Sequence, residues 1–285
     1  MGKIIACIDG SAYADSVCNL TAWVAKRLEK PVDLLHVVAP HADLTNKQDL
    51  SGQIGLGAKS ELMEALTGID EQHGKLELKK GQLMLAHAQE QLSALNVKNV
   101  EMLHRRGYLV ETVTQMEQQA ECIIMGKRGE HANTAPTHLG SSLERIARSI
   151  HKPLLIATQN IPNVERFLIA YDGSASAKKA IDYICLSPLL RDLECHILKI
   201  GEQNAEAQTI IDSATTQLSN AGFTVHAAIK QGKPLEALVA EYIEQQKIDL
   251  LVAGAYGHTK IRSLILGSTT SALIRKSEVP VLLIR

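Results

Sequence analysis

The segment GAYGHTKIRSLILGSTT, Gly254 to Thr270, spaces three glycines as Gly254, Gly257 and Gly267 and follows the last with Ser268, Thr269, Thr270 and Ser271. Glycines allow sharp turns and a backbone approach that a Cβ would obstruct. Ser268 and Thr269 stand where a helix would begin, and the free amides and positive dipole of a helix amino terminus attract anions. Such a loop leaves a strand, wraps a phosphate chain and returns as a helix. Asp172, at the end of the strand-like run FLIAYD, is placed to accept hydrogen bonds from a ribose or an adenine amino group.

A second set of the same kind lies earlier in the chain. Asp9 ends KIIACID, Gly126 and Gly129 have the same separation as Gly254 and Gly257, and Gly140 and Ser141 follow. Ten residues, rather than nine, separate the second and third glycines, and they include Pro136, His131 and His138. One residue extends a chain by about 3.3–3.6 Å, which is large against hydrogen-bond tolerance, so weakened or altered binding is expected here. Lys127 and Arg128, between the first two glycines, are read either as phosphate-neutralising or as solvated loop cations.

These duplicated sites imply duplicated elements. KIIACIDGSAYAD recurs as RFLIAYDGSASAK, ECIIMGKRG matches DLLVAGAYG, and HKPLLIA matches EVPVLLI, with a polar, proline-containing join at TQNIPN. Residues 1–160 and 161–285 are therefore expected to form two domains. Each reads as five apolar strands alternating with four helices, an α/β open sandwich with a parallel sheet covered on both faces. In such a sheet, ligands bind beyond the carboxyl ends of the strands, where the strand order reverses. Aligning His36 with His196 and Leu92 with Leu218 places 34 extra residues in the first half, around 41–75. Leu62, Met63, Leu66 and Ile69 recur there at helical spacing and predict a helix that packs on the first domain, meets a partner or acts as a lid. Ser11 and Ser174 are expected to cap the helices that follow them.

Several function classes recede. Lysine plus arginine (30) balances aspartate plus glutamate (31), which gives no basic footprint for nucleic acid or an anionic membrane. No apolar run reaches membrane-spanning length and no leader pattern opens the chain, so a cytoplasmic location is expected. The five cysteines, at 7, 18, 122, 185 and 195, are scattered without a Cys-x-x-Cys pair and read as buried reduced thiols. GLGAKS lacks a preceding strand and a third glycine, the Walker P-loop and the serine nucleophile elbow are absent, and no metal-ligand set has a recognised spacing. His36 and His196 read as partly buried strand residues. No catalytic residues are assigned.

Gly-x-x-Gly, nine residues, then Gly-Ser, together with the strand-end Asp-Gly-Ser, resembles the nucleotide-binding subclass of the universal stress proteins. The resemblance covers nearly the whole chain as two tandem domains. It implies a sheet of order 3-2-1-4-5 in each half and ATP, or a related adenine nucleotide, with Mg2+ or Mn2+ as ligand. By the same resemblance the halves pair through their last strands as an intrachain pseudo-dimer, and two chains can assemble as a homodimer. The expected role is a stress-responsive sensor or adaptor with an unidentified protein partner. Slow ATP hydrolysis and a nucleotide-independent interaction module are the alternatives.

Overall fold

The computed structural model describes residues 2–39, 56–130, 139–232, 234–255 and 267–285, with the side chains of 56–67 and 69–70 left aside. Its first half runs β1 (Lys3–Cys7), α1 (Ala14–Leu28), β2 (Val32–Val38), α2 (Leu56–Ala94), β3 (Val100–Arg106), α3 (Leu109–Met116), β4 (Ala120–Gly126), α4 (Ser141–Ser149) and β5 (Leu154–Ala157). The second repeats it as β6 (Arg166–Ala170), α5 (Ala175–Leu186), β7 (Glu194–Ile200), α6 (Ala205–Asn220), β8 (Val225–Lys230), α7 (Leu235–Gln246), β9 (Leu250–Gly254), α8 (Ser268–Lys276) and β10 (Val281–Ile284).

All strands join one sheet in the order β3-β2-β1-β4-β5-β10-β9-β6-β7-β8. Within each half every pairing is parallel and the order is 3-2-1-4-5, as expected. The last strands of the halves, β5 and β10, pair antiparallel, with Leu155 opposite Leu282. Apolar residues run through the central strands because both faces are covered. Ile4, Leu34, Ile124, Phe167 and Val252 face α1, α2, α5 and α6, while Ile5, Leu35, Ile123, Leu168 and Leu251 face the other layer, with α4, α7 and α8. The outer strand β3 carries Glu101, Arg105 and Arg106, charges that blunt an open sheet edge.

Side chains also cross between the halves. Arg285 donates from Nη1 to the carbonyls of Arg148 and Ile150, at the carboxyl end of α4. Arg27 lies over Trp23, 5.6 Å from the ring centre, and donates to the carbonyls of Leu189 and Arg191. Lys127 reaches Ser277, just beyond α8.

Three sequence readings change. Ile4 pairs with Val32 and Phe167 with Cys195, which sets an offset of 163 residues, the separation of Val32 from Cys195, instead of 160. Against the offset of 126 at Leu92 and Leu218, the first half carries 37 extra residues rather than 34. The counterpart of His36 is Lys199, and the two histidines lie on opposite faces. His36 shares its face with Val32 and Leu34 under Gly81 of α2, whereas His196 meets Tyr242 of α7. Both are fully buried, at 8% and 4% exposure.

The excess residues lead into α2, a helix of 39 residues that starts well before the counterpart position of α6. Its carboxyl-terminal part is tied down by the buried Leu85, Ala88 and Leu92, while Leu76 and Leu83 are exposed. The helical reading at Leu62–Ile69 agrees with its backbone; what those side chains touch lies outside the described residues. Among the described residues, no helix is long and apolar enough to cross a membrane.

Candidate functional site

In the second half the strand order reverses between β6 and β9, so the crevice at their carboxyl ends is the place where a ligand would sit. Three loops meet there. Asp172 follows β6 and accepts from the backbone N–H of Ser174 at 2.9 Å, folding the chain back into α5. Gly173 adopts φ +78°, and a Cβ on it would lie 2.9 Å from Ile210 of α6, so this turn requires glycine. Ser174 caps α5 as expected, accepting from Ala177 at 3.3 Å.

Gly254 ends β9 against the first turn of α5. An added Cβ would stand 2.9 Å from Ser176 Oγ and 3.0 Å from the Ala177 backbone nitrogen. Gly267 precedes α8 and, having no side chain, does not itself cap the first amides of that helix. Ser268 and Thr269 are exposed beside them, and the buried Thr270 donates from Oγ1 to the Gly254 carbonyl at 3.1 Å. That bond ties the helix start to the strand end. Asp172, Gly254, Gly267, Ser268 and Thr269 are thus held on elements that converge; Gly257 lies outside the described residues.

The first half brings its candidates together as well, but it closes upon them. Asp9 accepts from Ser11 at 3.1 Å, repeating the turn at Asp172. A Cβ on Gly126 would fall 2.7 Å from Tyr13 Cβ, one on Gly129 3.1 Å from an Asp9 carboxylate oxygen, and one on Gly10 2.9 Å from the Glu130 carboxylate. Gly140 lies beside the backbone of Lys127, Arg128 and Gly129, with Ser141 opening α4. Lys80, from α2, pairs with Glu130, and that hydrogen bond raises its pKa. Tyr13 stands where the second half has Ser176, so a phenol ring replaces a hydroxymethyl group next to the fourth-strand glycine. A cleft of about 210 Å³ remains between α1 and α2, lined by Asp9, Ser11, Met84 and His87.

Two readings of this loop are corrected. Lys127 is neither a solvated cation nor aimed at a ligand: it is 9% exposed and donates to the Ser277 carbonyl at 2.8 Å. Burial, aided by Arg128 and opposed by Glu278, lowers its pKa to about 8. Ser11 does not cap α1, which starts three residues later behind Tyr13; its Oγ accepts instead from the Tyr13 N–H at 3.3 Å. His131, His138 and Pro136 lie outside the described residues.

A cluster missed by motif reasoning occurs at the opposite, amino-terminal end of the second-half strands. Glu194 and His196 of β7 and His226 of β8 offer ligand atoms that all lie within 4.8 Å of one another. Glu194 and His196 form an alternating pair that points to one face, but only the register His196 opposite His226 reveals the third member.

Comparison with known proteins places this architecture among relatives. The family model described as the universal stress protein family matches residues 1–158 and 197–285. The chain is 38% identical to the universal stress protein Slr1230 of Synechocystis sp. over 288 aligned positions, covering 100% of both chains. It is 21% identical to a universal stress protein of Mycolicibacterium smegmatis, covering 99% of this chain and 96% of that one. The crystal structure of a universal stress protein from Archaeoglobus fulgidus shares the fold, with a TM-score of 0.70 and 19% identity over 99% of this chain and 96% of that one.

Proposed function

The chain belongs to the universal stress protein family as a tandem pair of its domains, and on that premise we propose that its second half binds ATP or a related adenine nucleotide. In this reading Asp172 orients the nucleoside, the backbone at Gly254 and Gly257 approaches the phosphates, and the α8 amides with Ser268 and Thr269 hold the terminal phosphates. Mg2+ or Mn2+ accompanies the polyphosphate and offsets its charge. The protein then acts as a nucleotide-responsive sensor or adaptor, with binding biasing the surface that a protein partner reads.

One observation carries the choice of half. Beside the fourth-strand glycine the second half has Ser176, while the first has Tyr13 and brings the Glu130 carboxylate against Gly10; Asp9, the counterpart of Asp172, does not separate the halves. The Glu130 carboxylate repels phosphate oxygens, and Tyr13 carries a bulkier group beside the fourth-strand glycine than Ser176 does. Lys80 neutralises Glu130 but also fastens α2 over that end of the first half. The first half is thereby disfavoured on steric and electrostatic grounds, independently of loop length.

Titration of the full chain with ATP and magnesium by calorimetry tests this. The expected result is one tight site per chain, abolished by Gly267→Val with an unchanged circular dichroism spectrum, because the branched side chain blocks the approach to the α8 amides. Two equivalent sites, or unchanged affinity in the folded variant, would overturn the assignment. Phosphate release measured in the same samples separates a binding protein from a slow hydrolase.

A further inference from the structure

We propose that Glu194, His196 and His226 form a binding site for a single first-row divalent metal ion of the zinc type. The site lies at the outer edge of the second half, at the end of the sheet opposite the nucleotide crevice. It is therefore independent of the nucleotide reading.

The three donors are of the kind that bind such an ion in open sites, two imidazoles and one carboxylate, with water completing the coordination. Their spacing suits it. His196 Nε2 and His226 Nε2 each lie 3.2 Å from Glu194 Oε1, close to the roughly 3.3 Å edge of a tetrahedron built on metal–ligand bonds of about 2.0–2.1 Å. The imidazole rings stack at 4.9 Å between centres, inclined by 29°, so both present Nε2 toward the same carboxylate. His226 is half exposed and leaves an entry from solvent, while His196 is buried and fixed.

The surroundings orient these ligands. His196 Nδ1 lies 3.1 Å from the Tyr242 hydroxyl of α7. A ring that coordinates through Nε2 carries its proton on Nδ1, where the Tyr242 oxygen accepts it; partners of this kind fix the tautomer of a metal-ligating histidine. Arg166 Nε donates to Glu194 Oε2 at 3.0 Å, holding the carboxylate so that Oε1 is directed to the histidines. With Oε2 engaged by Arg166, Oε1 is the carboxylate oxygen left for an ion. No motif search finds this set, since Glu194 and His196 come from β7 and His226 from β8.

Zinc chloride titrated into the metal-stripped full chain, followed by calorimetry and by competition with a chromophoric chelator, provides the test. One Zn2+ per chain is expected. Since loss of an outer partner alone costs about 10–100-fold in affinity, His226→Ala and Glu194→Gln should each weaken binding by about 100-fold or more, and Tyr242→Phe by about tenfold. A His131→Ala/His138→Ala double variant should retain the site, which excludes the loop histidines as its source. His226 is half exposed, so its replacement should leave the circular dichroism spectrum intact. Absence of stoichiometric binding, its survival in folded His226→Ala, or its loss in the loop variant would each overturn the proposal.

Discussion

Lys127→Met discriminates between a phosphate-binding lysine and one that joins the halves. In the structure the Lys127 amine is buried and hydrogen-bonded to Ser277, and its pKa falls from 10.5 to about 8. An unfolded chain keeps the proton up to the ordinary value, whereas the folded chain releases it near pH 8. Between these values the unfolded state binds more protons, so this group makes stability rise with pH. Below pH 8 both states are protonated and the fold carries the full cost of the buried charge. At about 1.4 kcal/mol per pH unit the gap between the two values sets an upper bound of about 3.5 kcal/mol, and solvent screening reduces this to ~1–2 kcal/mol. Methionine fills similar space without titrating but gives up the bond to Ser277. At pH 7 the lost bond and the relieved charge oppose one another, which leaves the variant within ~1 kcal/mol of the parent. Urea unfolding followed by circular dichroism at pH 7 and pH 9.5 measures both proteins. The parent should gain ~1–2 kcal/mol over the variant on going to the higher pH. Subtracting the variant removes the contribution of thiols and tyrosines that titrate in both. A difference independent of pH, or one that shrinks, would refute the burial argument; loss of ATP binding in a folded Lys127→Met would refute the assignment to the interface.

Two further outcomes follow from local geometry. Gly173→Ala must hold an alanine at φ +78° with its Cβ 2.9 Å from Ile210, costing ~1–2 kcal/mol, seen as a lower urea midpoint with the slope unchanged. In native protein an aromatic disulfide reagent should modify Cys185 first, because Cys7, Cys18, Cys122 and Cys195 are buried and burial pushes their thiols up, to about 12 for Cys7 and Cys18; fast release at more than one thiol would contradict this packing.

The repeat and the alternation of strands and helices were legible because each follows from local chemistry, apolar runs of strand length and glycines at turns, whereas the strand order was implied by the family resemblance. Features that depend on register were not. His36 and His196 look equivalent when aligned by letter, yet sheet pairing offsets them by three residues and puts them on opposite faces. An odd shift in a strand reverses the face of every side chain. Ser11 copies Ser174 in its Asp-Gly-Ser setting, but only Ser174 caps a helix, since Tyr13 delays α1. The fate of Lys127 was equally hidden, because its acceptor is 150 residues away.

The asymmetry between the halves combines both kinds of information. Loop length already separates them, with ten residues against nine between the second and third glycines. Pairing then aligns Tyr13 with Ser176, and this substitution, silent in a glycine motif, decides what stands next to Gly126 and Gly254. A duplicated domain needs only one ligand site if its second copy contributes something else. Here the first copy supplies Lys127 to the end of α8 and accepts Arg285 at the end of α4. The lysine therefore connects the first glycine loop to the helix whose amino terminus is proposed to hold phosphate.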